Sequence, residues 1–546
     1  MSRLPVGTFT SPTTPGTAAR NVALNICKLD LFCLRPPQPE ARVLSVPSAP
    51  QLLADPSEQA PLHMTPQGIA IREINSGRLV TLTREDNALR VNFAENKAPV
   101  DIVYRQVVWA SCNTDNGVLE VAYLRRKKKV GALALARLEG KPEGLENTIV
   151  SQWAENLMTS VYEDSGVQRR RRLKVLVNPY GGVKKAVAVF VKTVEPILRA
   201  AQCSLDVTHT THNGHAYDIA KDLPLDFDVV VTVSGDGVVH EVMNGFAHHA
   251  DPRKAFSVPI APIPTGSGNA LFLNLLGHKH GFDAAEAALN VIKGKPMKVD
   301  VFSLTQDGKR TISFMSQALG LMADLDIGTE NLRWMGDTRF MVGLLRGVIQ
   351  FKSCPIQLSY KLAESDKVKM ANDLRARRSG KADAPPASTG ESGPLPPLVN
   401  LPDDTDGWTT YDKPILYVYA GKGPFVARDY MAFPVSLPDD GLIDVMAQPA
   451  SSRKEILSAV GGAAKGEGYW QPGLHYVKAH AYRVKPLAPK GHLAVDGEIF
   501  PFQEYQVEVH QKLATVLSPY GYYAADFAAR TPTAPPRDKM RKGNEH

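Results

Sequence analysis

Three glycine-rich turns offer the chemistry of phosphate binding. They are Asn178-Pro-Tyr-Gly-Gly182, Ser234-Gly-Asp-Gly237 and Pro264-Thr-Gly-Ser-Gly-Asn269, and each follows a short apolar run. Glycine lets a backbone approach a ligand closely, and amides at a following helix N-terminus are donors for phosphate oxygens. One such turn alone is equally well a plain loop. Three at the ends of successive strands point to a nucleoside triphosphate. Asp236 stands between two of these glycines, where a carboxylate is placed to take the proton of an attacking hydroxyl; an Asp-Gly tight turn is the other reading of the pair. The Walker spacing and the HRD and DFG signatures of protein kinases are missing. Pro264-Thr-Gly-Ser-Gly-Asn-Ala-Leu271 also lacks the last glycine of a dinucleotide fingerprint.

Only parallel strands can bring such turns to one edge. The apolar runs at 173–177, 205–210, 228–233 and 258–263 alternate with helical stretches, which predicts a parallel α/β lobe over 171–298. Upstream, short alternating runs (Ile69-Ala-Ile-Arg72, Leu79-Val-Thr-Leu82, Leu89-Arg-Val-Asn-Phe93, Ile102-Val-Tyr104, Val118 to Leu124 and Ala134 to Leu138) predict an antiparallel β unit. The spacing of Ile149, Trp153, Leu157 and Val161 predicts a helix after it. Strands closed by one amphipathic helix resemble a pleckstrin-homology-like (PH-like) module, here over 66–165. Beyond Val299 the runs Val299 to Leu304, Ile415 to Ala420 and Tyr505 to His510 predict a β-sandwich-like lobe over 299–520, interrupted by helical stretches at 331–351 and 454–461. Residues 363–408, rich in Pro, Ser, Gly and charge, read as a disordered insertion. Residues 1–65 and 531–546 read as loose ends, with Asn25 to Cys33 a docking strand or an acylation site.

Asp324, Asp326 and Glu330 fall in an otherwise apolar stretch. An uncharged diacylglycerol would leave such carboxylates without compensation for lost hydration, whereas an ammonium headgroup would pair with them. The apolar stretch 339–351 is either a core helix or the wall of an acyl-chain cavity. The basic runs Arg125 to Lys129 and Arg169 to Arg172 are solvated faces or a dock for an anionic leaflet, and they lack the interleaved aromatics of a nucleic-acid binder.

The run Val233-Ser-Gly-Asp-Gly-Val-Val-His-Glu-Val-Met-Asn-Gly245, followed by Pro264 to Leu271, resembles the diacylglycerol-kinase catalytic domain family and, more narrowly, the sphingosine (long-chain base) kinases. The resemblance covers 171 to about 520 outside the insertion. It implies the two-lobed fold shared with NAD kinases, ATP between the lobes and lipid in the second. It further implies that Asn178, Gly181, Thr210, Ser234, Gly235, Gly237, Glu241, Gly266 and Ser267 line the nucleotide, joined by Asp496, Gly497 and Glu498 from a later hairpin. Arg333 and Arg339 resemble the family's γ-phosphate cations, with a salt bridge to Asp337 or Glu330 as the alternative. Asp326 would recognise the headgroup, with Ser316 and Glu330 in support, and Phe340 would line the chain cavity. Tyr180 and Asn213 depart from the basic residues some members carry. Asp439-Asp-Gly-Leu-Ile-Asp444 also matches, as a structural segment or a structural cation site. Mg²⁺ is the metal expected beside a phosphate substrate.

Composition narrows the rest. The chain has 546 residues, a net charge of +7 and 43% hydrophobic residues, enough for a large core and too weakly basic for a histone-like binder. Five cysteines cannot form a disulfide framework, and none pairs as C-x-x-C. These features, with no long apolar span or secretory signal, lead us to expect a cytoplasmic enzyme in peripheral contact with membrane. No heptads or interface pattern speak to oligomeric state.

Overall fold

The structure is a computed structural model that describes residues 66–94, 98–126, 131–328, 351–380, 392–400, 404–450 and 462–527. The expected loose ends, the stretch 329–350 and the whole of the helical stretch 454–461 lie outside these.

The chain opens with seven antiparallel strands, β1 (Gly68–Glu73), β2 (Leu79–Arg84), β3 (Ala88–Phe93), β4 (Val100–Val103), β5 (Val107–Asn113), β6 (Val118–Arg126) and β7 (Leu133–Pro142), in the order β4-β3-β2-β1-β7-β6-β5. Alternation sets the register: Ile69, Ile71, Val80, Leu82, Leu89 and Val91 all turn inward. Helix α1 (Asn147–Val161) lays Trp153, Leu157 and Val161 on this sheet, and the Tyr162 hydroxyl donates to the Val108 carbonyl at 2.6 Å. Strand β5 is the one the alternating pattern missed. Its first four residues are all buried, because α1 covers it and a helix of the next segment also reaches it, so no polar face is left to alternate.

Next come β8 (Arg172–Val177), α2 (Ala186–Val189), a π-turn over Phe190–Val194, α3 (Glu195–Ala200), β9 (Ser204–His209), α4 (His215–Lys221), β10 (Val229–Ser234), α5 (Asp236–Ala247), α6 (Pro252–Ser257), β11 (Ile260–Pro264), α7 (Ala270–Leu276) and α8 (Ala284–Lys293). The order β9-β8-β10-β11 is parallel throughout, and the glycine turns follow β8, β10 and β11 at one edge.

The remaining elements are β12 (Lys295–Gln306), β13 (Lys309–Ser313), β14 (Ser316–Gly320), α9 (Leu321–Gly328), β15 (Ile356–Glu364), α10 (Lys367–Arg378), β16 (Thr409–Thr410), β17 (Ile415–Gly421), β18 (Phe425–Ala427), β19 (Tyr430–Met431), β20 (Ile443–Pro449), β21 (His475–Pro486), β22 (Leu493–Val495), β23 (Glu498–Phe500) and β24 (Tyr505–Ser518). Strand β24 joins the halves: its end runs parallel to β11, while β12 and β21 flank it antiparallel. The β-rich half closes over its own core of Phe302, Leu304, Leu358, Val418, Ile443, Val484 and Val507. The other core runs unbroken from the first sheet into the α/β layer.

Two expectations need correction. The segment 363–408 contains helix α10, capped by the Asp366 carboxylate on the Val368 and Lys369 amides and seated through Met370, Ala371 and Leu374. Its lysines and arginines hid a narrow apolar stripe. Further along, the Gly393 amide donates to Asp251 at 2.9 Å, and Val399 and Asn400 donate to Glu508. The arginine run is also largely spent inside the fold. Arg169 pairs with Glu155 and Glu163, and Arg170 lies over Trp109. Arg171 is buried on the Val291 and Gly294 carbonyls, and Arg172 pairs with Asp226. Of the other run, Arg126 approaches Asp283 at 3.7 Å, and Lys127 to Lys129 lie outside the described residues.

Candidate active site

At the edge of the parallel strands the three glycine turns touch backbone to backbone. A Cβ on Gly266 would lie 2.2 Å from the Gly235 Cα, and one on Gly182 would lie 2.6 Å from the Thr265 carbonyl. Only glycine fits at such approaches. The Asn178 carboxamide accepts from the Tyr180 and Gly181 amides and donates to the Ser234 hydroxyl at 3.3 Å, tying the first turn to the second. Asn269 closes the third turn by exchanging bonds with Gly266. Thr210 follows β9, its amide bonded to Val177, and Ser267 is exposed at the tip of the third turn.

Asp236 opens α5 where these turns meet. Its carboxylate accepts from the Ala270 and Leu271 amides at 2.7 and 3.1 Å, so it sits on the first turn of α7. The residue is 6% exposed. Burial raises its pKa to about 6, opposed by those two amides and assisted by the negative charge of Asp496. The group is therefore ionised at neutral pH yet far more basic than a surface aspartate.

Asp496 has φ +50° in the β22–β23 turn and is buried beneath Asp236's helix. One oxygen accepts from the Ser313 hydroxyl and the Met315 and Ser316 amides; the other accepts from the Phe314 amide and bonds His240 Nδ1 at 2.8 Å. Burial pulls the His240 pKa down, but the bond and charge of Asp496, with Glu498 and Glu241 adding, carry it above the ordinary value. One turn further along α5, Asn244 exchanges bonds with both backbone groups of Ile312. Helix α5 is thus stitched to β13 and to the start of β14. Gly497 keeps φ +85°, and Glu498 is exposed, with its Oε1 3.2 Å from where a Gly237 Cβ would stand.

The fold therefore gathers Asn178, Gly181, Ser234, Gly235, Asp236, Gly237, Gly266 and Glu498 at one edge, with Asp496 and Ser316 directly behind. Glu241, one turn along α5, accepts from the Ala216 amide through one oxygen and so caps α4. Asp326 lies on α9, but its side chain, like Glu330, Arg333, Arg339 and Phe340 as a whole, falls outside the described residues. Asp324 is not in an apolar setting; it is exposed and bonded to His492 Nδ1 at 2.6 Å. His240 was missed, although it is one turn after Asp236 on the same helix, the spacing that puts two side chains on one face.

The segment 439–444 is structural, and its cations are lysines. Lys422 Nζ reaches Asp300 and Asp440 at 2.5 Å each and the Leu442 carbonyl at 2.6 Å, with none of its side chain exposed. Lys478 bonds Asp440 at 2.7 Å, and Asp439 pairs with Arg377. Despite the pull of burial, the charges of Asp300 and Asp440 raise the Lys422 pKa, and Lys422 and Lys478 hold Asp440 well below the carboxylate range.

The diacylglycerol kinase catalytic domain family matches residues 172–304, the stretch that contains all three turns. With the buried Asp236 at their junction, this defines the class as a lipid kinase. Sphingoid long chain base kinase 4 of Schizosaccharomyces pombe is 31% identical over 424 residues, 77% of this chain and 88% of its own length. Sphingoid long chain base kinase 5 of Saccharomyces cerevisiae is 30% identical over 68% of this chain and 63% of its own. Sphingosine kinase 1 of Homo sapiens is 30% identical over 62% and 88%. The chain belongs to the sphingoid long-chain base kinase family.

Proposed function

We propose that the chain transfers the γ-phosphoryl group of ATP to the primary hydroxyl of a sphingoid long-chain base such as sphingosine, dihydrosphingosine or phytosphingosine. The observation that carries this reading is the buried Asp236 carboxylate, raised to about 6, at the meeting point of three phosphate-type turns. Asp236 takes the hydroxyl proton as the oxygen attacks the γ-phosphorus, and the bond to the bridging oxygen breaks to release ADP. The amides of Ala270 and Leu271 orient its oxygens and keep the carboxylate ionised. The turns after β8, β10 and β11 hold the phosphates, with Asn178, Thr210, Ser234, Gly235, Gly266 and Ser267 nearest, and Arg333 and Arg339 assigned to the transferring charge.

Mg²⁺ is held by one or two carboxylates plus substrate phosphates and water. Among the described residues no group of three or more His, Cys, Asp or Glu side chains is arranged to hold a metal, and exposed Glu498 beside Gly237 is the carboxylate that fits an ion arriving with the nucleotide. Such an ion neutralises phosphate charge.

Asp326, with Ser316 and Glu330, is assigned to the headgroup ammonium, and Phe340 to the chain. Residues 171–298 would form the nucleotide lobe, 299–520 the lipid lobe and 66–165 a PH-like module. Membrane contact moves from the arginine run to the first turn and α2. Tyr180, Val183, Val187 and Val191 are exposed there, Val183 by 71%, among the exposed Lys184, Lys185 and Lys192. Apolar side chains among lysines suit an anionic cytoplasmic leaflet. Asp236→Asn should abolish transfer while leaving the thermal melt and ATP binding intact; wild-type turnover in that variant would end the mechanism.

A further inference from the structure

At the far end of α7 lies a cavity of about 520 Å³ whose lining shares no residue with the three turns or with Asp236. Its wall includes Leu276, Phe425 and Met431, and its polar lining includes Lys279, Arg378 and Lys465. Asp236 binds the first amides of α7, and the cavity begins at Leu276, its last residue, so the length of a seven-residue helix, about 10 Å, separates the two.

We propose that this cavity binds a phosphate-bearing ligand. Arg378 is the central group. Its Nη2 donates to the Tyr523 carbonyl at 3.3 Å, and among the described residues its buried Nε has no partner. A guanidinium with an unmet buried donor is short of one acceptor, and a tetrahedral oxyanion supplies several. Lys465 stands exposed at the rim, and among the described residues no carboxylate pairs with it. Lys279 pairs with Asp526 at 3.1 Å, but both side chains are more than four-fifths exposed, a screened surface pair that a doubly charged phosphate can displace. Among the described lining residues, three cations therefore face one carboxylate. Tyr520 and Tyr522, stacked at 5.7 Å between centroids, border the opening and add hydroxyl donors. The apolar wall of Phe425, Met431 and Leu276 lets the ligand carry an organic group beside its phosphate, so the source is either a free phosphate compound or a lipid headgroup.

The test is equilibrium dialysis of the full chain with the nucleotide site filled by a non-hydrolysable ATP analogue. One arm uses radiolabelled inorganic phosphate, and the other uses dihexanoylphosphatidic acid below its micellar concentration. The wild type should bind at least one of the probes, and Arg378→Gln and Lys465→Gln should each weaken that binding about 10-fold, the loss of one charge-assisted hydrogen bond. Affinity for the ATP analogue should not change. Binding of phosphate alone identifies a soluble ligand, and binding of the phosphatidate only identifies a headgroup; both support the site. No binding of either probe, or binding by Lys465→Gln equal to wild type, overturns it. Lys465 is exposed, so that variant folds whatever Arg378→Gln does. The outcome does not depend on which lipid is phosphorylated, because lipid transfer is read in a separate assay.

Discussion

Asp236 combines two opposed demands, a carboxylate ionised at pH 7 and basic enough to receive a proton. Burial supplies the second, and the Ala270 and Leu271 amides preserve the first. With a pKa of about 6, turnover should hold at neutral pH and fall as pH drops through about 6, because protonation removes the acceptor. A pH–kcat profile flat down to pH 5 would contradict this. The glycine turns and Asp236 were legible in the sequence because close backbone approach admits only glycine, and that requirement marks the chain directly. Asp496 entered through family resemblance alone. Its donors at Ser313, Phe314, Met315 and Ser316 lie about 180 residues away, and no local pattern reports a carboxylate that gathers distant amides. Glu241 came from the same motif, and one of its oxygens also caps α4.

Among the elements, α5 does most to couple the halves. Its first residue is Asp236, its fifth is His240 on Asp496, and Asn244 pairs with β13 like a neighbouring strand. The lysine–aspartate network fixes the β-rich half in a different way. Lys422→Met would leave Asp300 buried without its cation and Asp440 with Lys478 alone, and should cost about 3–5 kcal/mol, read by denaturant unfolding. A variant as stable as wild type would show that the network is dispensable. The Asp440 part of this stability follows pH with a definite sign. Its folded pKa is depressed, so the contribution is complete above about pH 4 and is lost as acid protonates it below that. Lys422 stands between Gly421 and Gly423 just past β17, where a lysine reads as a turn residue, so its buried pairing was not legible. Helix α10 was not readable, since three buried apolar residues among so many charges look like a loop.

Over the whole molecule, the first sheet is not a loose appendage. Its core is continuous with the α/β layer, and Arg105, Arg126 and the Leu133 amide meet Glu286 and Asp283 around α8. Within that contact Lys293 lies 3.0 Å from the centroid of the Tyr162 ring, and among the described residues it bonds only the Val161 carbonyl. Burial lowers its pKa to about 6, with Arg171 adding to the fall. The unfolded chain binds the proton that the folded one gives up, so this amine costs stability at pH 7. Lys293→Met should stabilise by about 1–3 kcal/mol at pH 7, with the gain fading toward pH 10 as the unfolded lysine also loses its proton. A destabilised variant would mean that the amine is held charged. That β8 to β11 are parallel followed from strands alternating with helices, whereas their order and the β24 crossover that joins them to the β-rich half have no local signature. The central claim is that Asp236 and the headgroup carboxylates serve phosphoryl transfer to a cationic lipid. It is tested most directly by transfer of labelled γ-phosphate from ATP to sphingosine, dihydrosphingosine and phytosphingosine beside diacylglycerol and ceramide. We predict label on the three long-chain bases and none on the uncharged lipids; label on diacylglycerol or ceramide alone would contradict the account.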